Sequence, residues 1–302
     1  MSREASPDLT RPAAHASLQV IVLLWGATAI LGRLISIEAI PLVWYRLLIV
    51  VAVLAVLVPI RSVPLRVPAR AALRYGLVGA IIGLHWLCFY AAIKEAGIAT
   101  AVLSLSTITF FTALVEPFVF GRRVAASELA IGAIVVVGAA LLIQVELKAE
   151  PLGLALGLGS AVLAAIFGVL NGKLARREPP ERLMLYELAA AAVVVSLCFV
   201  IVPAQFVAPW QLSPADAGWL VVLAVMCTVI PQVWIIHVLR TLSPFTVAIT
   251  VNLEPVYALL LTAVLFPADQ ALSLRFYLGA ALLFALVIAN GIRKSLADRV
   301  QA

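Results

Sequence analysis

Long apolar runs alternate with short polar linkers along almost the whole chain. A helix needs about 20 mostly apolar residues to cross the hydrocarbon core of a bilayer. Runs of this length predict ten spanning helices, with approximate limits 17–35, 40–60, 73–93, 98–120, 127–145, 152–174, 183–203, 216–238, 244–266 and 272–292. The runs are unbroken and do not alternate between apolar and polar residues, which argues against a transmembrane β-barrel.

The composition leads to the same fold class. The chain is 64% hydrophobic and 12% charged, whereas soluble domains contain about 25% charged residues. This number of charged residues is too small to cover the surface of a soluble protein. Most of the chain must therefore be surrounded by lipid. We therefore expect an all-α integral membrane protein that lies in the lipid bilayer as a multi-pass protein.

Several kinds of chemistry have no signal in this sequence. Cys88, Cys198 and Cys227 lie inside apolar runs without metal-ligand spacing, so neither disulfides nor a metal site is predicted. No cofactor motif is present, and no phosphate-binding loop or long soluble segment is found, so ATP hydrolysis within this chain is not expected.

The basic residues predict how the chain crosses the membrane. If the N-terminus is cytoplasmic, sixteen of the 21 lysines and arginines fall on the cytoplasmic side and four on the other side. Positive charge is enriched in cytoplasmic loops. Both termini are therefore predicted to be cytoplasmic, and the net charge of +6 is attributed to topology and not to nucleic-acid binding.

The two halves of the chain resemble each other. Setting Gly132 on Gly279 gives an offset of 147, which also aligns Ala101 with Ala248. Because each half has five predicted helices, the second half enters the membrane upside down, as in alternating-access carriers. The predicted units are a cytoplasmic tail (1–16), a five-helix repeat (17–145), a second, inverted repeat (152–292) and a cytoplasmic tail (293–302).

The repeat plan, together with three short motifs, resembles a known family. The chain has "WYR" early in helix two, "LEP" in helix nine and a glycine-containing closing helix. These features look like the EamA-type exporters of the drug/metabolite transporter superfamily. The resemblance implies export of small metabolites, such as amino acids and their derivatives, through the bacterial inner membrane.

Glu254 is the most unusual residue for a spanning helix. It lies near the middle of helix nine, about 15 Å from either end, where an ionised acid is costly. It must be protonated, paired with a base or placed on a water-filled cavity. Pro255 removes a backbone donor next to it, and Asn252 adds an amide. We interpret this bent polar patch as a substrate or proton site, with a structural ion pair as the alternative.

Two further charges lie within spans. Arg46 in helix two could hold a substrate carboxylate or close a gate with Glu254, although an arginine near a helix end can also anchor at the interface. Its counterpart in the second repeat is Glu187, a candidate gate residue. Glu116 lies one turn from the cytoplasmic edge, where we expect it to reach water at the lipid edge or to form a salt bridge.

Other polar and aromatic residues are candidates for a pathway through the protein. His85, Trp86 and Tyr90 in helix three could line a cavity, or the aromatic pair could form an interfacial belt. In helix eight, Pro231 predicts a kink. The remaining candidates are the gate residue Trp234 and the cavity hydroxyls Ser104 and Thr107, which could equally serve as ordinary helix–helix contacts.

These features favour a secondary exporter and not an enzyme. Its partners would be a small amphipathic substrate, namely an amino acid, a derivative or a carboxylate-rich metallophore, with protons as the candidate coupling ion. The alternative is an intramembrane lipid-modifying enzyme, which would need clustered catalytic groups near one face. A third possibility, a passive scaffold protein, does not explain why an acid such as Glu254 is buried in the membrane.

Overall fold

The computed structural model describes residues 9–142, 150–265 and 274–301. Within these ranges the chain is helical, with turns and short 3₁₀ segments between the helices and no β-strand. The helices, in chain order, are α1 (Arg11–Leu34), α2 (Ala39–Ile60), α3 (Ala69–Leu105), α4 (Ile108–Phe120), α5 (Ala126–Leu142), α6 (Pro151–Leu174), α7 (Pro180–Ile201), α8 (Pro214–Ala224), α9 (Ile230–Thr241), α10 (Pro244–Val251), α11 (Glu254–Leu265) and α12 (Leu274–Gln301).

Several of these helices combine into long apolar segments. Eight segments in the described part of the chain are long and apolar enough to cross a membrane, and they include Ala69–Gly97, Thr100–Phe120, Pro214–Thr241 and Pro244–Leu265. The described part of the chain also contains two shorter apolar helices, Ala126–Ala140 and Tyr277–Ile292. The all-helical membrane class predicted from the sequence is therefore confirmed. The predicted end of helix five and start of helix ten lie outside the described residues.

The ends of the chain are more helical than the tail boundaries suggest. α1 begins at Arg11, inside the predicted tail 1–16, because Pro12 occupies the first turn, where its missing amide costs nothing. At the other end, α12 continues to Gln301 through the segment assigned to a tail. The charged residues there contain no helix breaker, so the helix continues beyond the apolar part.

Serine–proline pairs start two helices of the C-terminal half. The hydroxyl of Ser213 accepts the backbone N–H of Asp216 at the start of α8, and the hydroxyl of Ser243 accepts that of Thr246 at the start of α10. In each case a proline follows the serine. Such N-caps satisfy backbone donors that have no partner inside the helix.

Two interruptions lie at corresponding places in the halves. α3 and α4 are separated by Ser106 and Thr107, and α10 and α11 by Asn252 and Leu253. The first interruption is 146 residues before the second, one residue less than the offset that aligns the glycines. α3 also bends at Gly97, whose φ of 82° is readily adopted only by glycine.

Glycines allow helices to approach closely, both between the two halves and within the second half. A Cβ at Gly26 in α1 would lie 3.1–3.2 Å from atoms of α11, including the carbonyl oxygen of Glu254. A Cβ at Gly79 in α3 would overlap the backbone of Glu187 in α7, and one at Gly172 in α6 would overlap the ring of Pro244. In lipid, such small-residue contacts are a main source of helix–helix packing energy.

Candidate functional site

A cavity lies between the two halves of the chain. Its walls come from α1 to α4 of the N-terminal half and from α6, α9, α10 and α11 of the C-terminal half. Apolar and aromatic side chains dominate these walls, as in typical ligand pockets. The polar and charged lining residues are Thr28, Arg46, His85, Thr112, Asn171, Gln232 and Glu254.

Glu254 meets the cavity at the helix interruption. It is the first residue of α11, and only 5% of the residue is exposed. The unpaired backbone N–H groups and the dipole at a helix N-terminus favour a carboxylate there. The bend anticipated from Pro255 is present as an interruption within the turn that precedes the proline, and it gives the acid a polar setting on the cavity wall.

Asn252, the first residue of the interruption, fixes its geometry with side-chain hydrogen bonds. Its amide nitrogen donates to the carbonyl of Ala248 at 2.9 Å and to the hydroxyl of Thr109 at 2.6 Å. Its amide oxygen has no partner among the described residues. Asn252 and Pro255 border a smaller space next to Glu254, and they do not line the main cavity.

Arg46 lies in the same cavity as Glu254 but does not pair with it. Its Nε donates to the hydroxyl of Thr228 at 2.8 Å and one Nη donates to the hydroxyl of Tyr90 at 3.0 Å. The guanidinium carbon stands 4.0 Å from the ring centroid of Trp86. The salt bridges within the described residues include none between Arg46 and Glu254. Arg46 is 3% exposed, so it is not an interfacial anchor.

His85 lines the cavity among aromatic rings. Its Nδ1 lies 2.9 Å from the carbonyl oxygen and 2.8 Å from the hydroxyl of Ser160. The ring also packs against Phe89 and Phe167, which line the cavity as well. Trp86 and Tyr90 on the same helix are buried and do not form an interfacial belt.

Glu187 is fully buried behind the cavity wall. Its Oε2 accepts the amide N–H of Asn171 at 3.0 Å, and Asn171 itself lines the cavity. The other oxygen of each side chain, Oε1 of Glu187 and Oδ1 of Asn171, has no partner among the described residues. The contact between α6 and α7 thus leaves two buried side-chain oxygens without hydrogen bonds behind the cavity wall, which is unusual in a folded protein.

The other predicted candidates lie outside the lining. Ser104 packs on Gly157 of α6 and donates to the carbonyl of Thr100, while Thr107 donates to the carbonyl of Ser104. Both hydroxyls therefore satisfy local backbone at the first interruption. Trp234 in α9 is half-buried against the core and does not reach the cavity.

The predicted helix eight (216–238) contains a π-helical turn that the sequence did not predict. A π-helical segment, Val225–Val229, joins α8 to α9 directly before the buried Pro231. The proline was expected to kink this helix, and the π-turn absorbs the clash that its ring would otherwise cause with the preceding turn. Thr228 lies in this turn and accepts from Arg46. No periodicity in the sequence marks Thr228 as a site residue.

Glu116 is buried, contrary to the prediction from the sequence. It was expected to reach water, but it is only 5% exposed, and its Oε2 accepts the backbone N–H of Phe245 at the start of α10. The expected salt bridge exists: Oε1 lies 3.4 Å from Arg122, which also binds Glu128. Partial burial lowers the pKa of Arg122, but these carboxylates outweigh it and raise the pKa above its ordinary value.

A family model covers both halves of this architecture. It matches residues 15–144 and again residues 151–292, and its description is the EamA-like transporter family. The chain belongs to this family. As an EamA family member it is a multi-pass membrane protein of the drug/metabolite transporter superfamily, built from two such repeats. The resemblance inferred from "WYR", "LEP" and the repeat offset is thus confirmed.

Structural comparison supports the fold of this EamA protein. A solved chain described as "Crystal structure of protein" has a TM-score of 0.76 and 20% sequence identity, and the match covers 97% of this chain and 100% of that one. Identity this low establishes a shared fold and nothing about the substrate. No curated protein sequence matches the chain.

Proposed function

We propose that this chain exports small amphipathic metabolites from the bacterial cytoplasm by alternating access. The observation that carries the proposal is the position of Glu254, a buried acid at a helix interruption, on a cavity whose walls come from both repeats. A site at the junction of two repeats, next to a discontinuous helix, is the general plan of secondary transporters. Movement of one repeat against the other would expose such a site to either side.

The proposed orientation follows from the positive charges. Ten spans in two inverted repeats put both termini in the cytoplasm of a bacterial inner membrane. In this orientation the start of α10 lies at the cytoplasmic side, and the cavity lining includes Leu239 and Pro244 near that side. Substrate would then enter between α9 and α10.

The candidate substrates are amino acids, their derivatives and carboxylate-rich metallophores. The cavity combines a cation, an acid, a histidine and several aromatic rings, including Trp25 and Phe167. This combination supports a molecule with both charged and apolar parts. An intramembrane lipid-modifying enzyme is less well supported, because the polar lining residues are scattered over several helices.

Deletion of the protein from cells and its reconstitution into liposomes test the export function. Cells lacking the protein should accumulate the exported metabolite, and the purified protein in liposomes should exchange that labelled metabolite with an unlabelled pool inside. If liposomes containing the protein take up no metabolite that the cells accumulate, the export function is wrong. Turnover of a lipid extract by the purified protein would instead favour the enzyme.

A further inference from the structure

Arg46 carries a buried charge that the described protein residues do not neutralise by an ion pair. It is 3% exposed, and the salt bridges found among the described residues do not include it. Burying a guanidinium is costly unless the charge is paired and hydrogen-bonded, and here the hydrogen-bond partners that it has are the neutral hydroxyls of Thr228 and Tyr90. The part of the cavity next to Arg46 is therefore suited to an anionic group, whereas Glu254 lines another part of it.

The groups around Arg46 hold it in one orientation. Thr228 accepts from Nε on one edge, and Tyr90 accepts from one Nη. The ring of Trp86 lies over the guanidinium at 4.0 Å and favours the cation. Nη2 donates to no acceptor among the described residues. The end of the guanidinium fork, formed by the two Nη groups, thus keeps N–H donors for a ligand.

Thr228 lies in the π-turn, and its hydroxyl both donates and accepts. The hydroxyl of Thr228 donates to the carbonyl of Leu223 five residues earlier at 2.7 Å, which leaves its lone pairs to accept from Arg46. A regular α-helix pairs each backbone donor with a carbonyl four residues earlier, whereas a π-turn widens this spacing. The irregular segment thus supplies a buried, fixed acceptor for Arg46, which itself lines the cavity.

We propose that Arg46 binds the carboxylate of an organic anion through the end of its guanidinium fork, with Thr228 and Tyr90 as positioning residues. The planar fork matches a carboxylate and gives two parallel charge-assisted hydrogen bonds. The apolar body of the ligand lies against the neighbouring rings of Trp25, Phe89 and Phe167. This inference rests on the proposed function, because it names the substrate chemistry of the same cavity.

Binding calorimetry on the full chain in lipid nanodiscs tests the inference. The probes are 3-phenylpropionate and 3-phenylpropanamide, which have the same body and differ in charge. The acid should bind at least about tenfold more tightly than the amide. In Arg46→Gln this preference should disappear while the affinity for the amide stays the same. Equal binding of acid and amide, no binding of either, or an unchanged preference in Arg46→Gln overturns the inference.

Thr228→Val and Thr228→Ser separate positioning from packing. Valine keeps the shape and removes the acceptor, so the acid should bind several-fold more weakly while the amide is unaffected. Serine keeps the hydroxyl and should restore acid binding. Tyr90→Phe should weaken acid binding in the same way. If valine changes acid and amide binding equally, or serine fails to restore the acid, Thr228 has only a structural role.

Binding and transport can fail separately. A protein that binds the acid through Arg46 but exchanges no metabolite in liposomes contradicts the export proposal and leaves this subsite in place. Metabolite exchange that is as fast in Arg46→Gln as in the natural chain contradicts the subsite and leaves export in place.

Discussion

The carboxylate of Asp216 binds both the backbone N–H and the hydroxyl of Ser36, each at 2.7 Å. Ser36 follows α1 in the first repeat, whereas Asp216 lies in the first turn of α8 in the second repeat. The hydroxyl of Tyr45 bridges the repeats at the same side by donating to the carbonyl of Val207 at 2.7 Å. This side, which we propose to be the outer one, can open only if these contacts break.

Ser36→Ala should make the outer side open more often. It removes one hydrogen bond to a carboxylate, and a loss of about 1 kcal/mol corresponds to roughly fivefold in the opening equilibrium. The measurement is the labelling rate of a cysteine at the cavity residue Thr28 by a membrane-impermeant maleimide, in a background without the native cysteines.

Ser213→Ala is the matched control for this prediction. Ser213 also donates to the carboxylate of Asp216, at 2.8 Å, but it belongs to the same repeat. Its loss should leave the labelling rate unchanged. Equal labelling in the two variants would show that the Ser36 contact does not hold the outer side closed.

Glu254→Gln should abolish the response of transport to a pH gradient. The amide keeps the size of the side chain but cannot bind and release a proton, so proton-coupled movement stops while exchange of substrate continues. Flux into proteoliposomes is measured with and without an imposed gradient. Glu95→Gln, at an exposed acid in α3, serves as the control. Gradient-driven flux that persists in Glu254→Gln removes the proposed coupling.

Glu116 variants should lose stability in a graded order. Glu116→Gln keeps an acceptor for the backbone of Phe245 but loses the charge opposite Arg122, whereas Glu116→Ala loses both. We expect Glu116→Ala to cost about 1–3 kcal/mol and Glu116→Gln less, because Arg122 is partly exposed.

Unfolding in detergent, followed by circular dichroism, measures this order. Glu128→Gln removes the other charged partner of Arg122 without touching α10; Glu128 is also buried, but glutamine keeps an acceptor for Arg122, so this variant should be less destabilising than Glu116→Ala. If Glu128→Gln is as destabilising as Glu116→Ala, the contribution comes from the ion pair and not from the start of α10.

Gly79→Ala should destabilise the contact between α3 and α7. The added Cβ would overlap the backbone of Glu187, which cannot move aside as a flexible side chain could. Overpacking of this kind costs about 1–3 kcal/mol. Gly159→Ala in α6 meets no atom within 4 Å and should be neutral or stabilising, since alanine favours a helix. Similar melting temperatures for both variants would contradict the close contact.

Reporter fusions test the proposed orientation. A fluorescent protein joined after Ala302 should fluoresce, because it folds in the cytoplasm, and alkaline phosphatase at the same place should be inactive. Phosphatase fused after Ala208, between α7 and α8, should be active. The reverse pattern would place both termini outside and would invert the proposed direction of transport.

The sequence by itself determined the helical membrane class, the two repeats and the interruption before Pro255. These features follow from local rules, since lipid requires long apolar helices and a proline beyond the first turn of a helix removes a backbone hydrogen bond. The same rules identified Glu254, Arg46, His85 and Trp86 as unusual residues, and all four line one cavity.

Only the tertiary structure decided which of these residues touch. The sequence suggested Arg46 as a partner of Glu254, yet Thr228 and Tyr90 hold it. Glu116 was expected near water but lies against the start of α10. Such contacts join residues as far apart as 182 positions, and they depend on helix rotation and on one π-turn. Helix rotation and the π-turn are set by packing between helices, so no periodic pattern in the sequence predicts them.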